Sequence, residues 1–261
     1  MHIRNDPLVI GALGGSGTRV VVRIARHGGL FMGSELSSWE DSEPLGEFYD
    51  AWLKPYLTQA KDLPPDQKKS TERALRQALD RHLRGLPGPD APWGIKVPRT
   101  ILMLPFWNKI MPDLKFLHLI RNGLDMAFSK AAAYQVTAFG DFVLTPEEQK
   151  YIGPQKAIAY WLRMNQETAR YGQQNLGSRY LAVRFEDLCA DPENNIKKIF
   201  DFIDAPDRSQ MSAAIAEVAP PATIGRWRSA SPSDLYKVML TGRSGLEEFG
   251  YWNEADIIAL S

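Results

Sequence analysis

The stretch LVIGALGGSGTRVVVRIARHGG, residues 8–29, carries the clearest structural pattern in the chain. Residues 8–13 form a short apolar run bounded by glycines, which is typical of a fully buried strand. Residues 18–29 place apolar side chains at helical spacing and end at Gly28 and Gly29, a common helix stop. The GGSG segment between them is a loop. The stretch therefore predicts a strand, a glycine loop and a helix, in that order.

The same alternation of strand and helix recurs further along the chain. Short apolar runs predict strands at residues 93–97, 114–120 and 179–185, and helices follow at 121–133 and 191–203. Strands that alternate with helices indicate a parallel sheet with helices on both faces. We therefore expect an α/β fold, a three-layer sandwich with a central parallel sheet. In such a fold, ligands bind beyond the carboxyl ends of the strands.

Two long segments lie between the predicted strands. Residues 34–92 are expected to be a largely helical excursion from the sheet, with the clearest helix at 71–85. Residues 134–153 have mixed polarity and few helix signals, which predicts a loop. A loop of that length in a compact domain usually has a function, so 134–153 is a candidate acceptor-site loop. The length of 261 residues fits one domain, 1–261, that carries these insertions.

The composition excludes several classes of protein. The 31 lysines and arginines balance 31 aspartates and glutamates, which argues against a general nucleic-acid or membrane-surface binder. Cys189 is the single cysteine, and the four histidines form no zinc-binding pair. No run of 18 apolar residues occurs, and we expect the short apolar run at 8–13 to be a buried strand and not part of a signal peptide. We expect a cytoplasmic protein without a metal, a nucleic-acid partner or a membrane span.

The glycine loop between the first strand and helix predicts an anion site. Gly14, Gly15 and Gly17 let the backbone come close to a ligand, and Ser16 and Thr18 add hydroxyl donors. The free N–H groups of the first helical turn and the helix dipole favour a negative charge there. A tight turn without a ligand is the alternative interpretation. The context of three glycines between a strand and a helix favours the anion site.

The loop alone does not identify the nucleotide that it binds. A P-loop ATPase is excluded, because Gly17 directly precedes Thr18 where the Walker pattern has a lysine. Gly11, Gly14 and Gly17 match GxxGxxG, as in dinucleotide-binding proteins. That interpretation requires an acidic residue or an arginine at the end of the second strand, whereas residues 30–36 offer only Glu35, several residues late. An NAD(P)-binding oxidoreductase therefore remains an alternative.

A second signature, KFLHLIRNGLDMAFSK at residues 115–130, separates these alternatives. It resembles the strand–Arg–helix–Ser segment of cytosolic and Golgi-type sulfotransferases, with Arg121, Asn122, Asp125 and Ser129 at matching positions. The resemblance implies a P-loop-NTPase-like sulfotransferase topology and 3′-phosphoadenosine 5′-phosphosulfate (PAPS) as the sulfuryl donor. It also implies that Arg121 and Ser129 bind the 3′-phosphate of PAPS or of its product PAP.

Two later segments agree with that resemblance. Residues 179–203 are similar to the family's strand and helix, with Phe185 where a tyrosine is common, so ring packing without a hydroxyl contact to adenine is implied. Glu186 and Asp187 are expected to brace the fold. IGRWR at 224–228 resembles the element that closes over the nucleotide, although a buried structural tryptophan is an equal alternative. The implied nucleotide contacts there are Arg226, Trp227 and Arg228.

The chain departs from the family in the first loop. Family members carry Lys or Arg where this chain has Gly15, and that cation contacts the 5′-phosphosulfate. Positive charge is needed because the bridging oxygen becomes negative as the bond to sulfur breaks. Arg19, Lys96 and Arg99 are candidate replacements. We favour Lys96 as the catalytic cation, against the alternative of a solvated lysine at a strand end.

The general base must take a proton from the acceptor. Pro98 occupies the position of the histidine that cytosolic family members use. Protein-tyrosine and glycan sulfotransferases have a glutamate about twenty residues after the loop, and this resemblance implies Glu35, with Asp41 as second choice. His118 alternates into a strand and is expected to be a core residue.

Taken together, the motifs predict sulfuryl transfer from PAPS to a hydroxyl or amine. The acceptor is a carbohydrate, a lipid or another small molecule. Two alternatives stay open, the NAD(P)-binding oxidoreductase and a PAP-binding family member that lost activity with the loop cation.

Overall fold

We describe the fold from a computed structural model, which covers residues 6–59 and 62–253 of the chain. Four parallel strands form its central sheet in the order β2-β1-β3-β4. The strands are β1 (Leu8–Ala12), β2 (Gly94–Lys96), β3 (Lys115–Ile120) and β4 (Tyr180–Arg184). This arrangement confirms the predicted α/β fold and all four predicted strands.

Helices connect the strands and cover both faces of the sheet. In chain order they are α1 (Thr18–His27), α2 (Glu43–Thr58), α3 (Pro65–His82), α4 (Leu104–Ile110), α5 (Gly123–Ala127), α6 (Lys130–Val143), α7 (Gly153–Asn175), α8 (Phe185–Ala190), α9 (Pro192–Phe202), α10 (Met211–Ala216) and α11 (Pro232–Glu248). Short 3₁₀ turns occur at Pro98–Met103, Glu148–Lys150, Gly177–Arg179 and Arg226–Ser229. Across the ranges that the structure describes, no helix has the length and apolar character needed to span a membrane.

The two faces of the sheet carry separate apolar clusters, because side chains alternate along each strand. Leu8 and Ile10 of β1 lie in a cluster with α1 and α9. Val9, between them, lies in the second cluster, which contains α2, α4, α7 and α11. Val9 pairs with Ile95 of β2 and Phe116 of β3, so the register places apolar residues side by side. The sheet is therefore the middle layer of three.

The segment 121–133 was predicted as one helix, and the structure divides it into α5 and α6. Asn122 caps α5 by accepting a bond from the Leu124 amide, at 2.8 Å. Ser129 starts a new helix, because its hydroxyl accepts a bond from the Ala132 amide at 3.1 Å. The serine therefore begins the second helix, directly after Phe128, which follows the last residue of the first.

The prediction of a loop at 134–153 is wrong for residues 134–143, which are helical, whereas 144–152 hold only a short 3₁₀ turn. Helix α6 continues to Val143, and α7 begins at Gly153. Only a few α6 residues are buried, among them Ala132, Phe139 and Gly140, so the apolar stripe is too narrow to be recognised from the sequence. Packing of α6 against α7 supplies the stability that the local pattern lacks.

The segment 34–92 is a largely helical excursion, as predicted, formed by α2 and α3. Helix α3 begins at Pro65, earlier than the predicted start at residue 71. Its last residue, His82, is buried between the carbonyl of Gly94 and the hydroxyl of Ser42, each at 2.9 Å. This histidine ties the end of α3 and the start of α2 to β2. These bonds fix the excursion beside β2, the strand that ends at Lys96.

Candidate functional site

Three neighbouring strands bring the predicted site residues to one edge of the sheet. The glycine loop follows β1, Lys96 is the last residue of β2, and Arg121 follows β3. Since β1 lies between β2 and β3 and all three are parallel, their carboxyl ends meet at the same edge. The loop therefore has a cation from a neighbouring strand on either side.

The backbone of the loop requires glycine. Gly15 and Gly17 have φ values of 90° and 92°, in the left-handed region. A Cβ on Gly17 would lie 2.3 Å from the ring of Phe185. In the described part of the chain, the amides of Gly15, Gly17, Thr18 and Arg19 have no protein acceptor. The loop therefore presents free N–H groups at the start of α1, which can bind an anion.

Gln135 of α6 braces the loop from the other side. Its Oε1 accepts a bond from the Gly14 amide at 3.0 Å, and its Nε2 donates to the Gly14 carbonyl at 3.1 Å. Nε2 also donates to the carbonyl of Ala131 in its own helix, at 3.0 Å. No sequence motif indicated this residue, because the contact joins positions 121 residues apart.

Arg121 is a buried cation with an unused donor. Its side chain is 5% exposed, and its guanidinium donates to the Gly15 carbonyl at 3.0 Å and to the Thr223 hydroxyl at 2.8 Å. The guanidinium lies over the ring of Phe185, 5.2 Å from its centre. Burial lowers the pKa of Arg121, and the nearby Arg226 lowers it further. Nε is buried and has no partner among the described residues, so the guanidinium keeps an unsatisfied donor beside the loop.

Asp125 brings the segment 223–229 to this part of the site. Its carboxylate, 1% exposed, accepts bonds from the amides of Gly225 at 2.8 Å and Trp227 at 3.4 Å. Trp227 is buried, with Arg228 stacked 4.5 Å from its ring centre. Arg226 bonds back to the Thr223 carbonyl at 3.3 Å. The burial of Trp227 fits a structural role, and this segment lies beside Arg121.

Ser129 and Phe185 also lie within the predicted nucleotide site. The Ser129 hydroxyl caps α6, and since it accepts that bond, its proton can still be donated to a ligand. Phe185 is buried, and its ring packs against Gly17 and under Arg121. Its contact with adenine stays a prediction.

Lys96 is buried on the opposite side of the loop, in an ion pair with the partly exposed Asp41. Its side chain is 2% exposed, so the alternative of a solvated lysine is wrong. The ammonium contacts the Asp41 carboxylate and donates to the Trp39 carbonyl at 2.6 Å. Burial lowers the pKa of Lys96, and the nearby Asp41 opposes that shift.

Trp39 connects the two candidate cations. Its backbone carbonyl binds Lys96, and the guanidinium of Arg19 lies 4.9 Å from its ring centre. The Trp39 residue is nevertheless 63% exposed, so much of its indole faces solvent beside the loop. Sequence reasoning missed Trp39. Its position two residues before Asp41 carried no recognisable signal.

The turn that holds Trp39 and Asp41 is ordered by its own hydrogen bonds. The Ser37 amide donates to the Asp41 carbonyl at 3.0 Å, and the Asp41 amide donates to the Ser37 hydroxyl at 3.2 Å. Glu40 pairs with Arg23 at 2.9 Å and Arg26 at 3.3 Å, both on α1. The turn is thus fixed to the helix that begins at the glycine loop.

Glu35 and Arg99 have other partners. Glu35 bonds to Arg81 at 2.7 Å and to Arg84 at 3.3 Å, at the end of α3. The hydrogen bond from Arg81 lowers the pKa of Glu35. Arg99 pairs with Asp50 of α2 at 2.5 Å. The structure therefore pairs Lys96 with Asp41. Glu35 and Arg99 instead form ion pairs with residues of the helical excursion.

His118 and Glu186 have structural roles, as predicted. His118 lies in the core between the Tyr180 hydroxyl at 2.9 Å and the Asn165 side chain at 3.0 Å. Burial lowers the pKa of His118 to about 4, so its ring is neutral at pH 7. Glu186 accepts bonds from the Asn122 amide at 3.0 Å and the Tyr251 hydroxyl at 2.7 Å.

The structure gives no support to a dinucleotide site. Such a site needs an acidic residue at the end of the second strand, to bind the ribose. Lys96 occupies the end of β2, and the carboxylate of Glu35 is held by arginines. Within residues 6–59 and 62–253, no group of His, Cys, Asp and Glu side chains is arranged to hold a metal ion.

Comparisons with known proteins point to one family. The model of the sulfotransferase family matches residues 7–209. Carbohydrate sulfotransferase 2 of Homo sapiens is 22% identical over 196 residues, which cover 60% of this chain. The match covers 37% of that protein, so the chain spans little more than a third of its length.

Solved structures of sulfotransferases share the fold. The sulfotransferase domain of the olefin synthase of Synechococcus PCC 7002 superposes with a TM-score of 0.55 at 17% identity, and the match covers 97% of each chain. A sulfotransferase of Mycobacterium avium has a TM-score of 0.54 at 13% identity, with 95% of this chain and 77% of that chain covered. At these identities the likeness concerns the fold.

Proposed function

The chain belongs to the sulfotransferase family, and from that premise we propose that it transfers a sulfuryl group from PAPS to a hydroxyl or amine of an acceptor. One observation carries the proposal. Arg121, a buried cation beside the glycine loop, has an Nε donor that no protein group satisfies in the described chain. A buried donor costs free energy unless an acceptor binds it, and an anion is the acceptor that a cationic donor binds most strongly.

The site fits the two charged ends of PAPS. Arg121 and the Ser129 hydroxyl would bind the 3′-phosphate, because they offer a cation and a hydroxyl donor on one side of the loop. The free amides of the loop and of the first turn of α1 would bind the 5′-phosphosulfate. Phe185 and the segment 224–228 would enclose the adenosine.

Lys96 and Arg19 would replace the missing loop cation. PAPS supplies a sulfuryl group whose bond to the bridging phosphate oxygen breaks as the acceptor oxygen or nitrogen binds sulfur. Negative charge then develops on the bridging oxygen, and PAP is the leaving group. Fixed positive groups lower that barrier, most strongly where water is excluded. Lys96 is buried and meets this requirement, and Arg19, which is exposed in the first turn of α1, would add a second positive charge.

We propose Asp41 rather than Glu35 as the general base. Asp41 is held beside Lys96, whereas Arg81 of α3 and Arg84, just after that helix, hold the Glu35 carboxylate. A base must lie within hydrogen-bond reach of the proton that it removes. The sulfonate of the donor would compete with Asp41 for Lys96, and this competition would release the carboxylate to accept the proton.

A carbohydrate acceptor is favoured among the predicted classes. The similarity to carbohydrate sulfotransferase 2 supports it, and the indole of Trp39 offers an exposed face on which a sugar ring can pack. A lipid or another small molecule remains an alternative to be screened. The cytoplasmic location stays a prediction.

PAP should stabilise the folded protein, and NAD should not. A ligand at about 100 times its dissociation constant adds ~2.7 kcal/mol of stability if it binds the folded state only. Thermal unfolding with each nucleotide, monitored by intrinsic fluorescence, measures the difference. If millimolar PAP leaves the midpoint unchanged, the proposed function is wrong. PAP binding without turnover on any screened acceptor would instead identify an inactive family member.

Arg121→Ala should weaken PAP binding about 10- to 100-fold, because a charge-assisted bond contributes about 1.5–3 kcal/mol. Binding of adenosine 5′-phosphate, which lacks the 3′-phosphate, should change little. Calorimetric titration of both nucleotides measures the effect. Arg208→Ala is the matched control, because Arg208 pairs with Asp201 on the surface. Equal losses for both nucleotides would show that Arg121 does not bind the 3′-phosphate.

A further inference from the structure

Helices α2, α3 and α4 surround a cavity of about 530 Å³ that shares no residue with the transfer site. Its volume lies in the range of small-molecule sites. Much of its wall is apolar, formed by Leu63, Leu75, Leu79, Phe106, Ile110 and Met111. An apolar wall of this size favours a ligand with a hydrocarbon or aromatic body.

Tyr56 places an unused polar group in that wall. The residue is 3% exposed, and its ring packs edge-on against Phe106, with 5.9 Å between ring centres. No described residue forms a hydrogen bond with its hydroxyl, and the oxygen is not among the fully buried unpaired atoms, so the hydroxyl is accessible from the cavity. Burial raises the pKa of Tyr56 to about 12, so the hydroxyl keeps its proton at pH 7 and can donate. A ligand with an acceptor group would satisfy it.

The rim of the cavity adds positive charge. Arg76 and Lys109 have no carboxylate at ion-pair distance among residues 6–59 and 62–253, whereas Lys68 pairs with Asp62 at 2.7 Å. Glu72 is the other acidic residue of the rim. The rim therefore carries three positive and two negative side chains. Arg76 and Lys109, the two cations without an ion-pair partner there, suit an anionic group.

The cavity is separate from the transfer site. Helix α2 begins directly after Ser42, next to Asp41, and Tyr56 lies about 20 Å further along that helix at 1.5 Å per residue. Between the two, the Tyr49 hydroxyl donates to Thr100 at 2.7 Å in the buried core. An acceptor in the cavity could not reach a sulfuryl group at the loop.

We propose that this cavity is a second binding site, for a small apolar molecule that carries one negative charge. The apolar wall binds its body, the Tyr56 hydroxyl donates to its anionic end, and Arg76 and Lys109 neutralise the charge. The site does not depend on the sulfuryl-transfer proposal, because the two share no residue.

Decanoate is a suitable probe, and decanol, with the same chain and no charge, is its control. Calorimetric titration of the full chain should show decanoate binding that is at least about tenfold tighter than decanol binding. Tyr56→Phe keeps the ring and removes the hydroxyl, and Lys109→Gln removes a rim charge. Each should weaken decanoate binding about tenfold. The matched control Lys69→Gln, on the exposed side of α3 outside the cavity, should leave it unchanged.

Saturating PAP should not alter decanoate binding, since the sites are separate. The proposal is overturned if decanoate does not bind, if decanol binds equally well, or if PAP displaces decanoate. It is also overturned if Tyr56→Phe and Lys109→Gln both bind decanoate as the unmodified chain does. A failure of PAP to bind, with decanoate binding intact, would contradict the transfer proposal alone.

Discussion

Lys96→Met should lower turnover by about 10²–10³-fold, because it removes a buried cation beside the bond that breaks. Methionine keeps much of the volume of the lysine side chain, so the packing around β2 is preserved. PAP affinity should fall much less than turnover, since the product lacks the sulfonate. Charge on the bridging oxygen develops only in the transition state, and an interaction made there changes kcat more than binding.

The measurement does not depend on knowing the acceptor. Release of sulfate from labelled PAPS in water reports the same bond cleavage, and acceptor turnover can be added once screening finds a substrate. Lys115→Met is the matched control, because Lys115 pairs with Asp204 at the amino end of β3, away from the loop. If both variants retain the rate of the unmodified chain, Lys96 is not the catalytic cation.

The structure explains why the cation is absent from the loop. Gly15 has a φ value of 90°, and a Cβ there would lie 3.0 Å from the Cβ of Ala131 on α6. A lysine at this position would be strained in this backbone and crowded by the helix. Lys96 at the neighbouring strand end offers the same charge without that conflict. The departure from the family pattern is thus compatible with activity.

Local sequence patterns were sufficient to predict the secondary structure around the site. Residues 8–29 form a strand, loop and helix because apolar spacing and glycines act over a few residues. The motif at residues 115–130, which contains Arg121 and Ser129, is recognised from the same kind of local signal. Since strands of a parallel sheet end at one edge, the meeting of Arg121 with the loop followed from the fold class.

Contacts between distant segments could not be predicted in the same way. Gln135 bonds to Gly14 across 121 residues, and Lys96 pairs with Asp41 across 55. These pairs depend on how α6 and the excursion pack against the sheet, which no local pattern encodes. The spacing that favoured Glu35 likewise took no account of Arg81 on α3. Residue type and spacing indicated Glu35 as the base. The partner of each carboxylate, however, depends on tertiary structure.

Asp41→Asn should lower turnover by about 10²–10⁴-fold, the usual contribution of a general base. Asparagine has nearly the same shape but cannot accept the proton, so the turn at residues 37–42 should keep its fold. Glu35→Gln should reduce turnover far less, because Arg81 and Arg84 hold that carboxylate. The comparison requires an acceptor, which a screen with labelled PAPS must first identify.

Donor binding distinguishes a catalytic role of Asp41 from a structural one. Asp41 contacts the ammonium of Lys96, so its neutralisation leaves Lys96 free to bind an anionic donor. PAPS affinity should therefore stay constant or increase in Asp41→Asn while turnover falls. A variant that merely unfolds the turn would also lose the contacts of Trp39 with Lys96 and Arg19, and donor affinity would decrease with turnover. If Glu35→Gln loses turnover and Asp41→Asn keeps it, the base is Glu35, and the ion pair with Arg81 must open during the reaction.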